Sequence, residues 1–156
     1  MTPVWKGALA LLLAALGQSL LSRYLPSVGK SVDLYTVLVL YYAVSRRRVA
    51  VMVMGTSAGL VEDLLSHTML GVNAFKKTLV GYLMGALGSF FMLNQSLPRF
   101  GILFLATLLE ALTEFGLVLV LGRNPSPPAA GDLIRLGLGN GLAGIFLFWI
   151  ASKLER

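Results

Sequence analysis

Residues 55–85 read GTSAGLVEDLLSHTMLGVNAFKKTLVGYLMG, and this stretch decides the fold because it sets charged groups between two apolar helical runs. Gly55 and Gly59 form a small-x-x-x-small step that lets another helix approach closely. Glu62 and Asp63 follow where an apolar helix should still be crossing lipid. A carboxylate at the centre of a bilayer costs about 2.5–3.5 kcal/mol on insertion scales, so it turns toward protein, water or a partner. Gly71, Asn73 and the pair Lys76 and Lys77 come next, ahead of a second glycine-rich apolar run with Gly81, Gly85 and Gly88. The unit is helix, polar turn, helix.

Working outward, the whole chain shares this character. Of its 156 residues 56% are hydrophobic and 13% charged, and the mean hydropathy is +0.80, more apolar surface than one small soluble core buries. The expected fold is therefore all-α, a polytopic membrane helical bundle forming a single domain over residues 1–156. Its six spans are placed at 5–22, 32–45, 49–66, 74–93, 100–121 and 132–152. Residues 23–30 and 122–131, with their Pro, Gly and Ser content, read as exposed loops, and 94–98 closes the fourth run. Asp33 or Ser31 is placed to cap the second helix, which is short for a span. Lys6, the Leu-rich core and Ala15 and Gly17 imitate a cleavable signal peptide, but the first run is read as a retained span.

The net charge of +6 sits mainly in short loops, a pattern that serves topology and anionic lipid rather than nucleic acid. Arg46, Arg47 and Arg48 form the densest basic cluster and place both termini in the cytoplasm. With no cysteine and a single histidine, His67, neither a metal site nor a cofactor is expected. Ser66 and His67 are consecutive and do not face each other on a helix, and no catalytic or phosphate-binding motif is present. The reading is a non-enzyme.

The order Gly59-Leu60, Asp63-Leu64-Leu65, Leu70-Gly71-Val72-Asn73-Ala74 and Leu79-Val80-Gly81-Tyr82-Leu83 resembles the central signature of the MreD family of rod shape-determining membrane proteins. That resemblance implies a non-catalytic scaffold of the bacterial cell-elongation complex in the inner (cytoplasmic) membrane. It supports cell shape and peptidoglycan synthesis with an MreC-like bitopic protein and, through it or directly, MreB, RodA and a class B penicillin-binding transpeptidase. The family is also similar in architecture to the substrate-binding subunits of energy-coupling-factor transporters, so a small-molecule uptake subunit is the alternative function.

Adjacent helical positions point about 100° apart, so only one of Glu62 and Asp63 is expected to face the interior. The resemblance selects Asp63, with Lys77 or Lys76 as its partner. Glu110 and Glu114, four residues apart on one face, are expected to pair with Lys76, Lys77 or Arg135 rather than to form a proton or cation path. Gly137, Gly141 and Gly144 on the last helix, and Ala10 and Ala14 on the first, form small-residue stripes for helix packing or partner binding.

Overall fold

The computed structural model describes residues 4–45, 48–87, 96–124 and 127–154. Arg46, Arg47, Gly88 and residues 94–95 of the expected fourth closure lie outside them. The helices are α1 (Val4–Tyr24), α2 (Pro26–Gly29), α3 (Leu34–Ser45), α4 (Arg48–Ser66), α5 (Val72–Leu87), α6 (Ser96–Val120) and α7 (Ala130–Leu154), and no strand occurs among the described residues. Four of them, α1, α4, α6 and α7, are long and apolar enough to cross a membrane. The fold is a polytopic helical bundle.

Local chemistry sets the ends of these helices. Asp33 caps α3, its Oδ1 accepting from the backbone N–H of Tyr35 at 2.9 Å and of Thr36 at 3.2 Å. His67 has φ of 53°, a left-handed conformation that stops α4 one residue after Ser66. Past α6, Gly122 at φ of 73° lets its own N–H reach the Leu119 carbonyl and the N–H of Arg123 reach that of Val118. Those two hydrogen bonds are the Schellman closure, for which glycine supplies the positive φ.

One sequence expectation about connections fails. Residues 23–30 are not an open loop. Pro26 starts the single-turn α2, and the Gln18 side chain donates to the carbonyls of Gly29 and Val32, tying the connection back onto α1. Helix α6 begins at Ser96, inside the stretch read as closing the fourth run. Pro98 sits in its first turn, where the missing N–H removes no intrahelical bond.

Contacts between distant residues fix the packing order. Asp33, Glu62, Lys77 and Glu110 meet at one end. At the other, Gly7 lies against Tyr42 and Met54 and Arg99 against Phe148. Consecutive long helices therefore alternate in direction, and the start of α1 and the end of α7 lie on one side. In the middle, Val37, Val39 and Leu40 of α3 meet Val51, Met54 and Ala58 of α4, Val80 and Met84 of α5, and Leu103 and Ala106 of α6. Helix α3 touches all five other long helices.

Glycines decide two of the helix pairs. A side chain at Gly55 would come within 2.5 Å of the Lys77 carbonyl oxygen, and one at Gly59 would meet the backbone of Asn73 and Ala74, so α4 and α5 pack backbone to backbone. On α7, the stripe of Gly137, Gly141 and Gly144 receives Phe104, Phe100 and Leu103 of α6. Of the two roles expected for that stripe, helix packing and partner binding, the contacts with α6 are packing within the chain. Gly81 faces Val51 and Val39 inside the bundle, and a side chain at Gly85 would make ordinary contact with Arg48 at 3.7 Å and Val51 at 4.0 Å.

Candidate functional site

Lys77 is the centre of the buried polar chemistry. Its side chain is 1% exposed, yet Nζ lies 2.5 Å from Asp33 Oδ2, 3.0 Å from Glu62 Oε2 and 3.5 Å from Glu110 Oε1. It also donates to Thr36 Oγ1 at 2.8 Å. An ammonium has three protons. Asp33, Thr36 and Glu110 take them, which accounts for Glu62: its Oε2 is buried beside the charge without a hydrogen bond. That oxygen meets the ammonium as an ion pair.

Thr36 binds the cluster together. Its hydroxyl lies 2.7 Å from Asp33 Oδ2 and 2.7 and 2.8 Å from the two oxygens of Glu110, so its one proton serves one carboxylate at a time. One cation and three acids from α3, α4, α5 and α6 thus share a single knot. Such groups survive out of water only because each charge finds a partner. The knot extends through neutral amides. Asn140 of α7 accepts from the Asp33 backbone N–H at 2.6 Å and donates to Thr107 of α6 at 3.0 Å. Gln18 accepts from the Leu34 N–H at 3.0 Å.

Asp63 does something different from what the sequence led us to expect. Among the described residues it has no lysine partner. Its Oδ2 accepts from the backbone N–H of Gly71 at 2.8 Å and of Ala74 at 3.4 Å, while Oδ1 accepts from the N–H of Asn73 and the Thr68 hydroxyl, both at 3.1 Å. These are the unpaired donors at the start of α5, so Asp63 of α4 caps α5 from across the turn. Gly71 makes the turn at φ of 97°, and the Asn73 side chain donates to Thr68 at 3.3 Å. The physical reason for the missed partner is supply: three backbone N–H groups and the Thr68 hydroxyl already give the buried carboxylate its hydrogen bonds. Lysine is not needed.

Glu62 and Asp63 both turn inward, contrary to the expectation that only one would, because they serve different neighbours about 100° apart. The other acids pair as the lysines allow. Lys76 meets Glu114 at 2.6 Å, Lys77 meets Glu110, and Arg135 pairs with Asp132 at 3.2 Å on its own helix instead of with α6. Thr36, Asp33, Gln18, Thr107 and Asn140 were not singled out as site residues. Asp33 was readable only as a cap, and neutral polar side chains in apolar runs carry no charge signal.

Beside the knot a cavity of about 240 Å³ opens, lined by Gln18, Asp33, Glu62, Lys76, Glu110, Glu114 and Asn140 among others. A second of about 290 Å³ shares Gln18 and Glu62 with it and is lined by Ser19, Ser22, Tyr35 and Ser66. Among the described residues no His, Asp and Glu group is arranged to hold a metal ion.

The capped turn that carries Asp63, Gly71, Asn73 and Ala74 lies inside residues 6–128, which match the family model described as rod shape-determining protein MreD. The chain belongs to the MreD family. No curated protein and no solved structure matches it. Membership gives this MreD-family chain a role in rod shape determination and makes it a multi-pass membrane protein of a structural, shape-determining family. In MreD terms, the signature read in the sequence is a device for starting α5. An acid ends one helix, a positive-φ glycine turns the chain, and the residues after it give their N–H groups back to the acid.

Proposed function

We propose that this chain is a non-catalytic scaffold of the bacterial cell-elongation complex, held in the cytoplasmic membrane with both termini in the cytoplasm. It meets an MreC-like bitopic protein and, through it or directly, MreB, RodA and a class B penicillin-binding transpeptidase, and so helps to place peptidoglycan synthesis. The family match carries the reading. Geometry supports it, because the charged side chains in the membrane interior are spent on one another and on helix ends. They hold a rigid body together.

The orientation follows from charge. Lys6, Arg48, Arg99 and Lys153 lie at the end where α1 starts and α7 finishes, and Arg23, Lys30, Arg123 and Arg135 at the opposite end; the compact run Arg46, Arg47 and Arg48 between α3 and α4 in the sequence tips the balance to the first end. Basic residues favour the cytoplasmic side. Because the chain lacks cysteine, single cysteines at Arg123 and Lys153 test this directly in intact cells. An impermeant thiol reagent should label the first and spare the second, and the reverse pattern overturns the orientation.

The function is tested by replacing the resident family member of a rod-shaped host with this chain. Restored cell width, together with capture of an MreC-like protein by photo-crosslinkers on lipid-facing positions, is the expected result. Round cells despite normal membrane levels, with no such capture, refute it. The paired polar cavities favour a second reading, a small-molecule uptake subunit, since they gather convergent polar groups at one end of the bundle. Under that reading the purified protein retains a specific small polar ligand and crosslinks a transporter coupling subunit.

A further inference from the structure

The Lys77 knot leaves one acid without a hydrogen bond. Lys77 donates to Asp33, Thr36 and Glu110, and Lys76 donates to Glu114, so among the described residues neither oxygen of Glu62 accepts a hydrogen bond. Its Oε2 is sealed beside the ammonium of Lys77. Its Oε1 is not sealed, and Glu62 lines both polar cavities. Tyr35 of α3 is a second unpaired group. It is 2% exposed and lines the cavity of about 290 Å³, yet among the described residues its hydroxyl has no partner, where a buried phenol usually finds one. Glu62 Oε2 is the one fully sealed side-chain oxygen or nitrogen without a hydrogen bond among the described residues, so the Tyr35 hydroxyl opens into the cavity it lines. Ser19 and Ser22 of α1 bring two more unpartnered hydroxyls to the same cavity.

Charge decides what fits there. Asp33, Glu62, Glu110 and Glu114 stand around the two adjoining cavities against the ammoniums of Lys76 and Lys77 alone, and neither Arg23 nor Lys30 lines either cavity. Four carboxylates therefore face two cations, and an anionic ligand would meet like charge. Three of the four already accept hydrogen bonds, which leaves Glu62 as the carboxylate with acceptors to spare. No group of acids among the described residues is arranged around one point to hold a metal ion. A ligand with N–H donors and a positive charge satisfies Glu62, while hydroxyls such as those of Tyr35, Ser19 and Ser22 both accept and donate. With a water's share of liquid volume at about 30 Å³, the cavity has room for a small molecule and not only for one water.

We propose that this cavity binds a small organic ammonium ion, whose N–H groups are donated to Glu62 and Tyr35 and whose polar tail meets Ser19 and Ser22. The proposal goes beyond the scaffold reading and does not depend on transport, because a resident ligand serves a scaffold as well as a carrier. The test is equilibrium dialysis of the full-length protein in nonionic detergent against labelled ethanolamine, with unlabelled competitors at equal ionic strength. Ethanolamine should bind saturably, one per chain. Ethylene glycol has the same size without the charge, and tetramethylammonium has the charge without N–H donors. Each should compete at least about tenfold more weakly, the factor that a lost charged hydrogen bond carries. Glu62→Gln should abolish the preference for ethanolamine over ethylene glycol. Tyr35→Phe, which leaves the hydrogen bonds of the Lys77 knot in place, should weaken ethanolamine about fivefold. If Glu62→Gln fails to fold by circular dichroism, Tyr35→Phe and Ser19→Ala carry the test. Absence of saturable ethanolamine binding overturns the proposal. So does competition by ethylene glycol, tetramethylammonium or sodium as strong as that of ethanolamine itself, or ethanolamine binding that is unchanged in the folded variants.

Discussion

Lys76 and Lys77 are neighbours of the same type, and the structure gives them unequal weight. Replacing Lys77 by Met keeps the apolar stem but removes the one ammonium that faces Asp33, Glu62 and Glu110 at 2.5, 3.0 and 3.5 Å. The acids are left beside one another with side-chain exposures of only 18, 22 and 11%. Removing one partner of a buried ion pair costs about 3–5 kcal/mol, chiefly because the remaining charge is stranded. For Lys76→Met the partner is Glu114, whose side chain is 55% exposed and rehydrates, so the loss is about 1 kcal/mol or less. Unfolding of each purified variant in mild detergent, followed by circular dichroism against denaturant, reads the difference. Lys77→Met combined with Glu110→Gln should be less damaging than the sum of the two, since the second change removes a carboxylate that the first has orphaned. Equal losses for the two lysines, or strict additivity in that double variant, would refute the argument that Lys77 is the hub.

Three further outcomes follow from named contacts. Gly59→Ala should lower stability by about 1–3 kcal/mol because its methyl meets the α5 backbone, whereas Gly116→Ala, with nothing within 4 Å, should raise it by about 0.5–1 kcal/mol through helix propensity; the same sign for both in one melting assay contradicts the close α4–α5 contact. Asp63→Ala should cost at least the ~0.5–2 kcal/mol of a lost cap and speed amide exchange at Gly71, Asn73 and Ala74, while Asp63→Asn keeps an acceptor and loses less; unchanged exchange in the alanine variant would remove the cap. Gln18→Leu should cost about 1–3 kcal/mol by leaving the Leu34 N–H and the Gly29 and Val32 carbonyls without a partner, and a variant as stable as the parent would show that water reaches them instead.

Features confined to a few consecutive residues could be read in the sequence. The helix, polar turn and helix of residues 55–85 and the close approach at Gly55 and Gly59 follow from local spacing. The knot could not be read in the same way. Asp33 announces itself, with Ser31, as a cap candidate ahead of an apolar run, but nothing local says that its second oxygen faces Lys77, 44 residues away. A lone sequence shows which charges need partners and not which helices meet. That is why Asp63 was given a lysine that belongs to Asp33, Glu62 and Glu110. The α7 glycines show the same limit: their spacing gives a packing face, and only the position of Phe100 and Phe104 on α6 says who packs there.

The polar knot also explains a helix that breaks the usual length rule. With 12 residues, α3 is roughly 18 Å long at 1.5 Å per residue, well short of a hydrocarbon core of about 30 Å. The rule exists because lipid offers no hydrogen bonds to exposed backbone. Here the chain just before α3 meets protein instead. Gln18 takes the Leu34 N–H and supplies the Gly29 and Val32 carbonyls, Asn140 takes the Asp33 N–H, and Gly139 lets the α7 backbone close over Ser31. Surrounded by five other helices, α3 never has to present a full-length apolar surface. Its short length then becomes a requirement, because a longer helix would carry Asp33 past the depth at which Lys77, Glu110 and Asn140 converge. The buried charges and the truncated helix are two parts of one arrangement, in which polar groups at one end set the register of α3 against α4, α5, α6 and α7.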